Sequence, residues 1–225
     1  MTPPLVLDID GTLTRPDGWG IDPRIFDPLR AWTAPVLLAT GKAFPYPVAL
    51  CHFLGIPERV VAENGGIVYT GETVHVTGEA GAARAVAEAY EAAGYSLGWE
   101  GADTVNRWRE TEIAVERGQP EGPLRELAAE RGLELVDTGY AYHVKEPSVT
   151  KGRGVRRLAA ALDVDLERAV AVGDSENDVS TFEAVGRSFA VANADAPARE
   201  AADEVLADSH ADGTLSVLER VRDAI

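Results

Sequence analysis

The sequence predicts an α/β fold: a doubly wound, parallel sheet core with a small α+β domain inserted into it. Three observations lead there. Short apolar runs alternate with helical patterns at both ends of the chain. Those runs stop at polar, often acidic, residues. Between them, the middle of the chain carries strands and helices that lack such acidic ends.

The elements follow in order. Leu5–Leu7 is an apolar run followed by Asp8-Ile9-Asp10-Gly11-Thr12, and Val36–Ala39 leads to Thr40-Gly41. Pro45–Leu54 reads as a helix whose prolines fall in the first turn, where a missing N–H is tolerated. The run 59–62 meets Glu63-Asn64-Gly65-Gly66, whose glycines suit a tight turn into the strand Ile67–Tyr69. An alanine-rich helix at 81–93 ends at Gly94, followed by strand 112–115, helix 123–131 and strands 133–136 and 142–144. These define an inserted domain over residues 80–147 and leave 1–79 and 148–225 as the core. The core resumes with helix Lys151–Leu162 and strand 169–172, which runs into Gly173-Asp174-Ser175-Glu176-Asn177-Asp178. Helix 179–185, strand 188–192 ending at Asn193, helix 196–202, strand 204–206 and helix 213–225 complete it.

Ligands of open α/β sheets bind beyond the carboxyl ends of the strands. Asp8 and Asp10, Thr40, Glu63 and Asn64, Asp174, and Asn193 all fall there, on five different strands. Any one of them alone is a helix cap or a turn residue. Five together describe the rim of one site.

Composition narrows the classes. At 225 residues and 45% hydrophobic content, the chain can bury a real core. A formal charge of −16 argues against a nucleic-acid partner, which calls for a basic face. The only lysines are Lys42, Lys145 and Lys151; arginine supplies 18 of the 21 basic residues. Such an acidic, lysine-poor surface fits salt adaptation, although a GC-rich genome gives the same bias. One cysteine, Cys51, excludes an internal disulfide. No apolar run reaches the roughly 20 residues of a membrane helix, and no early segment resembles a signal peptide. The expected location is the cytoplasm, with no membrane partner.

The rim residues suit phosphoryl transfer, which needs a nucleophile, a proton donor for the leaving group and positive charge on the phosphoryl oxygens. Asp8 is placed as nucleophile, forming an aspartyl-phosphate. Asp10, two residues on, can protonate the leaving oxygen and later activate water. Asp174 and Asp178 bring further carboxylates to a hard cation, with Mg²⁺ the expected cofactor. Thr40 and the Gly41 amide can hold phosphoryl oxygens. Lys151, opening a helix after Thr150, can neutralise both the phosphate and Asp8. The four histidines, His52, His75, His143 and His210, show no metal-ligand spacing. Cys51 reads as core, and Trp19, Trp32, Trp99 and Trp108 as packing residues.

The ordered set Asp8-Ile9-Asp10-Gly11-Thr12, Thr40-Gly41, Lys151 and Gly173-Asp174 with Asn177-Asp178 resembles the haloacid dehalogenase superfamily of Mg²⁺-dependent phosphatases. The resemblance implies a Rossmann-like core with a "type two" α+β cap. It assigns nucleophile to Asp8 and acid/base to Asp10. It places metal binding at Asp8, Asp10 through its backbone carbonyl, Asp174 and Asp178, and phosphate or substrate binding at Thr40, Gly41, Lys151 and Asn177. Within the superfamily, the short chain, compact cap and segment 174–182 look like the archaeal phosphoglycolate phosphatase branch. Lys42 departs from the Asn or Arg common at its position and suits a carboxylate-bearing substrate; Arg107, Arg109 and Lys145 are cap candidates for that carboxylate. The expected substrate is a small phosphorylated metabolite, 2-phosphoglycolate first. A sugar-phosphate phosphatase or a phosphohexose mutase uses the same residues. An aspartate-phosphorylated receiver domain is disfavoured by the chain length and by the second aspartate.

Overall fold

A computed structural model describes residues 2–17 and 20–223. Trp19 and the last two residues of the expected final helix, Ala224 and Ile225, lie outside the described residues. The order is β1 (Leu5–Leu7), α1 (Phe26–Arg30), β2 (Val36–Ala39), α2 (Pro45–Leu54), β3 (Val60–Ala62), β4 (Ile67–Tyr69) and β5 (Val74–Val76). Then come α3 (Ala82–Ala92), β6 (Ile113–Glu116), α4 (Glu121–Ala129), β7 (Glu134–Asp137) and β8 (Ala141–Lys145). The chain ends with α5 (Lys151–Leu162), β9 (Val170–Gly173), α6 (Val179–Phe182), β10 (Arg187–Ala190), α7 (Ala196–Ala201), β11 (Glu204–Val205) and α8 (His210–Asp223). Among the described residues, no helix is long and apolar enough to cross a membrane.

The α/β architecture forms around an eight-stranded sheet of order β11-β10-β9-β1-β2-β3-β4-β5. Six strands, β11 to β3, run parallel. β4 and β5 then pair antiparallel, a departure from the all-parallel expectation. The reason is the link from β3 to β4. It is a single tight turn, Glu63–Gly65, and a parallel return needs a crossover of a dozen residues or more. β5 is a three-residue edge strand, Val-His-Val, so no continuous apolar run marks it in the sequence, and both valines are exposed.

The central parallel strands β1, β2, β3 and β9 are buried on both faces, and alternate side chains feed different cores. Leu5 and Leu7 pack with Leu38, Val60, Val172, Ile25, Leu29, Cys51 and Leu54 on the face covered by α1, α2 and α8. Val6 packs with Leu37, Val61, Ala171, Val155, Leu158 and Phe182 beneath α5 and α6. β1 is the central seam. The chain winds one way from it through β2 and β3, then returns on its other side as β9, so the crevice at the carboxyl ends of β1 and β9 is a topological switch point.

The smaller unit is an antiparallel sheet of order β6-β8-β7. α3 and α4 cover one face with Val86, Tyr90, Leu124 and Ala128, packed on Ile113, Val115, Leu135 and Val144. His143 has the opposite parity on β8 from Val144, so it faces away from those helices.

The first turn of α5 is pressed tightly into the core. A Cβ on Gly152 would lie 1.8 Å from the Ser180 carbonyl oxygen. That close approach seats the neighbouring Lys151 inside, 1% exposed. Gly152→Ala is expected to lower stability by about 1–3 kcal/mol, as overpacking of a full core does. Gly122→Ala, where nothing lies within 4 Å, should be neutral or stabilising by under about 1 kcal/mol. Thermal unfolding of the two variants checks the contrast; equal shifts would contradict the close-packing account.

Candidate active site

The carboxyl ends of β1 and β9 bring three carboxylates together. Asp8, Asp174 and Asp178 each offer an oxygen within 4.8 Å of the others. Lys151 enters from α5 and donates to Asp8 Oδ1 at 2.6 Å and to Asp178 Oδ1 at 2.7 Å. The other oxygen of Asp178 accepts the backbone amides of Asp174, at 3.0 Å, and Ser175, at 3.2 Å. Asp178 thus locks the loop after β9 to the ammonium. Gly11, at φ +76°, allows Asp174 to close in: a Cβ there would lie 2.0 Å from Asp174 Oδ2.

Charge is unbalanced in this largely buried cluster. Burial pushes the Asp8 carboxyl up to about 7, with Lys151 opposing and the neighbouring Asp178 and Asp10 adding to the rise. Burial, then the charges of Asp8 and Asp178, drive Asp174 up to about 9. Burial alone would lower the Lys151 ammonium, but the charges of Asp178 and Asp8 outweigh it and raise it, so its proton is held tightly. Three carboxylates against one ammonium leave a surplus that a divalent cation neutralises, and hard oxygen ligands are what such a cation takes. The donor set therefore fits a metal ion.

A cavity of about 510 Å³ opens over this cluster. Its floor includes Asp8, Asp10, Thr40, Gly41, Asp174 and Asn177. Thr40 is buried, and its hydroxyl accepts the Lys42 amide at 3.1 Å, which shapes the turn after β2. Asp10 stands further out and pairs with Lys42 Nζ at 3.0 Å. Asn177 donates to Asn64 Oδ1 at 3.0 Å. A larger hollow of about 710 Å³, lined by Pro57, Arg59, Gly71 and Leu162, lies at the opposite, amino end of the strands and holds none of these groups.

The smaller unit roofs the cavity with Arg109, Thr138, Gly139, Tyr140 and His143. Of the three basic candidates in that unit, only Arg109 reaches it. Lys145 is instead buried against Glu134 Oε1, at 2.6 Å, and the Val149 carbonyl, at 2.7 Å. Arg107 lines a separate recess beside α3. Trp99 stacks on Tyr140, while Trp108 is half exposed beside Tyr46.

A network that sequence reasoning missed joins roof to floor. Glu63 and Asn64 both adopt left-handed backbone, at φ 51° and 52°. The buried Glu63 carboxylate accepts from the Thr111 hydroxyl and amide, both at 2.7 Å, and from the Glu110 amide. Asn64 donates to Glu112 Oε2 at 2.7 Å. Glu112 also accepts from Arg109, and from His143 Nδ1 at 3.1 Å when that nitrogen carries the proton. The Arg109-x-x-Glu112 spacing is the one local signal, and it says nothing of Asn64 or His143. Asn193, Asp195 and His210 also border the cavity.

Burial alone would raise the Glu112 carboxyl, but His143 and Arg109 outweigh it and hold it down to about 2. A depressed carboxyl contributes stability above its unfolded value of 4.5 and loses that contribution as pH falls towards about 2. Glu112→Gln is therefore expected to cost about 3 kcal/mol at pH 7. The gap to wild type should close between pH 4.5 and 2. Unfolding curves at fixed salt across that range check it, and a constant gap would remove Glu112 as the source.

Comparison with known proteins gives this geometry a family. Residues 135–218 match the haloacid dehalogenase-like hydrolases. A protein named phosphoglycolate phosphatase from Halorubrum lacusprofundi is 58% identical over 99% of this chain and 98% of its own. Another of the same name from Natronomonas pharaonis is 57% identical, with 99% of each chain covered. A crystal structure from Thermoplasma acidophilum superposes with a TM-score of 0.85 at 24% identity over 99% of both chains, a likeness of fold. With relatives this similar along its whole length, the chain belongs to the haloacid dehalogenase-like hydrolases and is a phosphatase of that family.

Proposed function

We propose that the protein is a Mg²⁺-dependent phosphomonoesterase that works through an aspartyl-phosphate and hydrolyses 2-phosphoglycolate to glycolate. One observation carries the chemistry: a buried Asp8 whose Oδ1 is held at 2.6 Å by Lys151, inside a carboxylate cluster that suits a divalent cation. The substrate is suggested by the name its relatives carry.

In this reading Lys151 fixes Asp8 and leaves Oδ2 to attack phosphorus. The bond from phosphorus to the ester oxygen breaks as the Asp8–phosphorus bond forms. Asp10, at the mouth beside Lys42, gives its proton to the departing alkoxide. It then takes a proton from the water that attacks the phosphoenzyme, which releases phosphate and restores Asp8. Thr40 and the Gly41 amide hold the phosphoryl oxygens, with Asn177 beside them. Asp8, the Asp10 carbonyl, Asp174 and Asp178 would hold Mg²⁺, which supplies positive charge to the phosphoryl group. Residues 80–147 act as a cap on the core of 1–79 and 148–225, excluding water from the phosphoenzyme. The halophilic origin of the relatives supports reading the charge of −16 as salt adaptation.

Phosphate release from 2-phosphoglycolate, hexose phosphates, phosphoglycerates and an aryl phosphate, with Mg²⁺ and with EDTA, tests the proposal. Metal-dependent release favouring phosphoglycolate is expected. A preference for hexose phosphates would overturn the substrate, and metal-independent release the cofactor. Asp8→Asn should leave a folded protein with activity reduced by at least about 1,000-fold, as loss of a covalent nucleophile does. Activity near wild type would remove Asp8 from the mechanism. Asp10→Asn should slow alkyl esters by roughly 100-fold or more but aryl esters far less, since aryl groups leave without a proton. Equal losses would exclude the acid role.

A further inference from the structure

The roof of the cavity contains a cation whose contacts leave one edge unused. Arg109 Nε donates to the Val105 carbonyl at 3.0 Å, and Nη1 donates to the Gly41 carbonyl at 2.8 Å and to Glu112. With its side chain 5% exposed, the guanidinium is fixed in direction. Nη2 donates to no described protein atom, yet it is not among the polar atoms sealed from solvent without a partner. Its hydrogens therefore open on the cavity that Arg109 borders. The neighbouring cations are committed elsewhere: Lys42 Nζ to Asp10, and Lys151 Nζ to Asp8 and Asp178.

Gly41 sets the distance. Its carbonyl holds Arg109, and its amide lies in the turn proposed to hold the phosphoryl group, so the two sites are one residue apart. A ligand spanning them is short and carries an anion at each end. We propose that Arg109 is the specificity-determining residue of this site, its Nη2 edge receiving the carboxylate of a small phosphate ester. The inference rests on the substrate reading above and deepens it. Glu112 is the positioning residue: by holding Nη1 it turns the free edge towards the substrate before binding, so little order is lost when the ester arrives. Neutral-tailed sugar phosphates gain nothing from such a group, whereas they would leave it desolvated and unpaired.

Ethyl phosphate provides the test, since it replaces the carboxylate of 2-phosphoglycolate with a methyl group. The quantity read is the ratio of kcat/KM for 2-phosphoglycolate to that for ethyl phosphate, which does not depend on how much of a variant is folded. In Arg109→Gln the ratio is expected to fall roughly 10- to 100-fold, mostly through KM, the size of a lost charge-assisted hydrogen bond. Arg109→Lys keeps the charge opposite Glu112 without the planar fork and should fall between; it carries the test if the glutamine variant does not fold. A wild type that favours phosphoglycolate, with a ratio unmoved in either variant, would overturn the role of Arg109 alone. A wild type that hydrolyses other esters but not phosphoglycolate would overturn the substrate reading and this inference together.

Discussion

Three carboxylates and one ammonium crowd together at the seam between β1 and β9, and much of the fold serves to keep them there. Charges leave water at a cost of several kcal/mol each, and pairing offsets it only when every oxygen and proton finds a partner. Asp178 meets that condition fully, with Lys151 on one oxygen and two backbone amides on the other. Asp8 and Asp174 meet it partly, which is why burial drives both carboxyls upward. Parallel strands buried on both faces exclude water from beneath. The glycine after Lys151 lets α5 approach close enough to deliver the ammonium. Stability has been given up locally for a cluster whose surplus negative charge suits a cation.

The turn after β3 extends the same logic to the roof. Left-handed backbone at Glu63 and Asn64 costs on the order of 1–3 kcal/mol per residue, less for asparagine. In return the turn aims two adjacent side chains in different directions. Glu63 takes amides from the start of the smaller unit's sheet, while Asn64 spans from Glu112 in the roof to Asn177 on the floor. Any shift of the roof relative to the floor must break these bonds or carry the turn with it. Buried polar contacts join roof to floor, with the edge-on Tyr46–Trp108 ring pair beside them at the surface.

How much of this could be read from the chain depends on the range of the interactions. Strand ends such as Asp8, Thr40 and Asp174 stand beside apolar runs that identify them, and the core's alternation of strand and helix is equally local. The reversal at β4 was harder, since it follows from the length of one turn. β5 leaves almost no trace, since it is three residues long with a histidine between its two valines. The roof was the least legible part. Asn64 meets Glu112 from 48 residues away and His143 from 79 residues away, and neither distance leaves a pattern in the sequence. Lys145 illustrates the converse: it is one of three basic candidates in the right segment, yet its ammonium closes a strand end against Glu134 and a carbonyl. Charge alone does not say whether a side chain turns inward to brace the fold or towards the cavity.

The distribution of lysine has a chemical consequence of its own. Lys145 and Lys151 are sealed inside, 6% and 1% exposed, and arginine carries the remaining positive charge. Lys42, its side chain 37% exposed at the mouth of the cavity, is left as the one side-chain amine that a reagent in solution can reach. Acylating probes that scatter over most protein surfaces would behave on this molecule as affinity labels. They would read out occupancy of the cavity by whether that single amine is shielded.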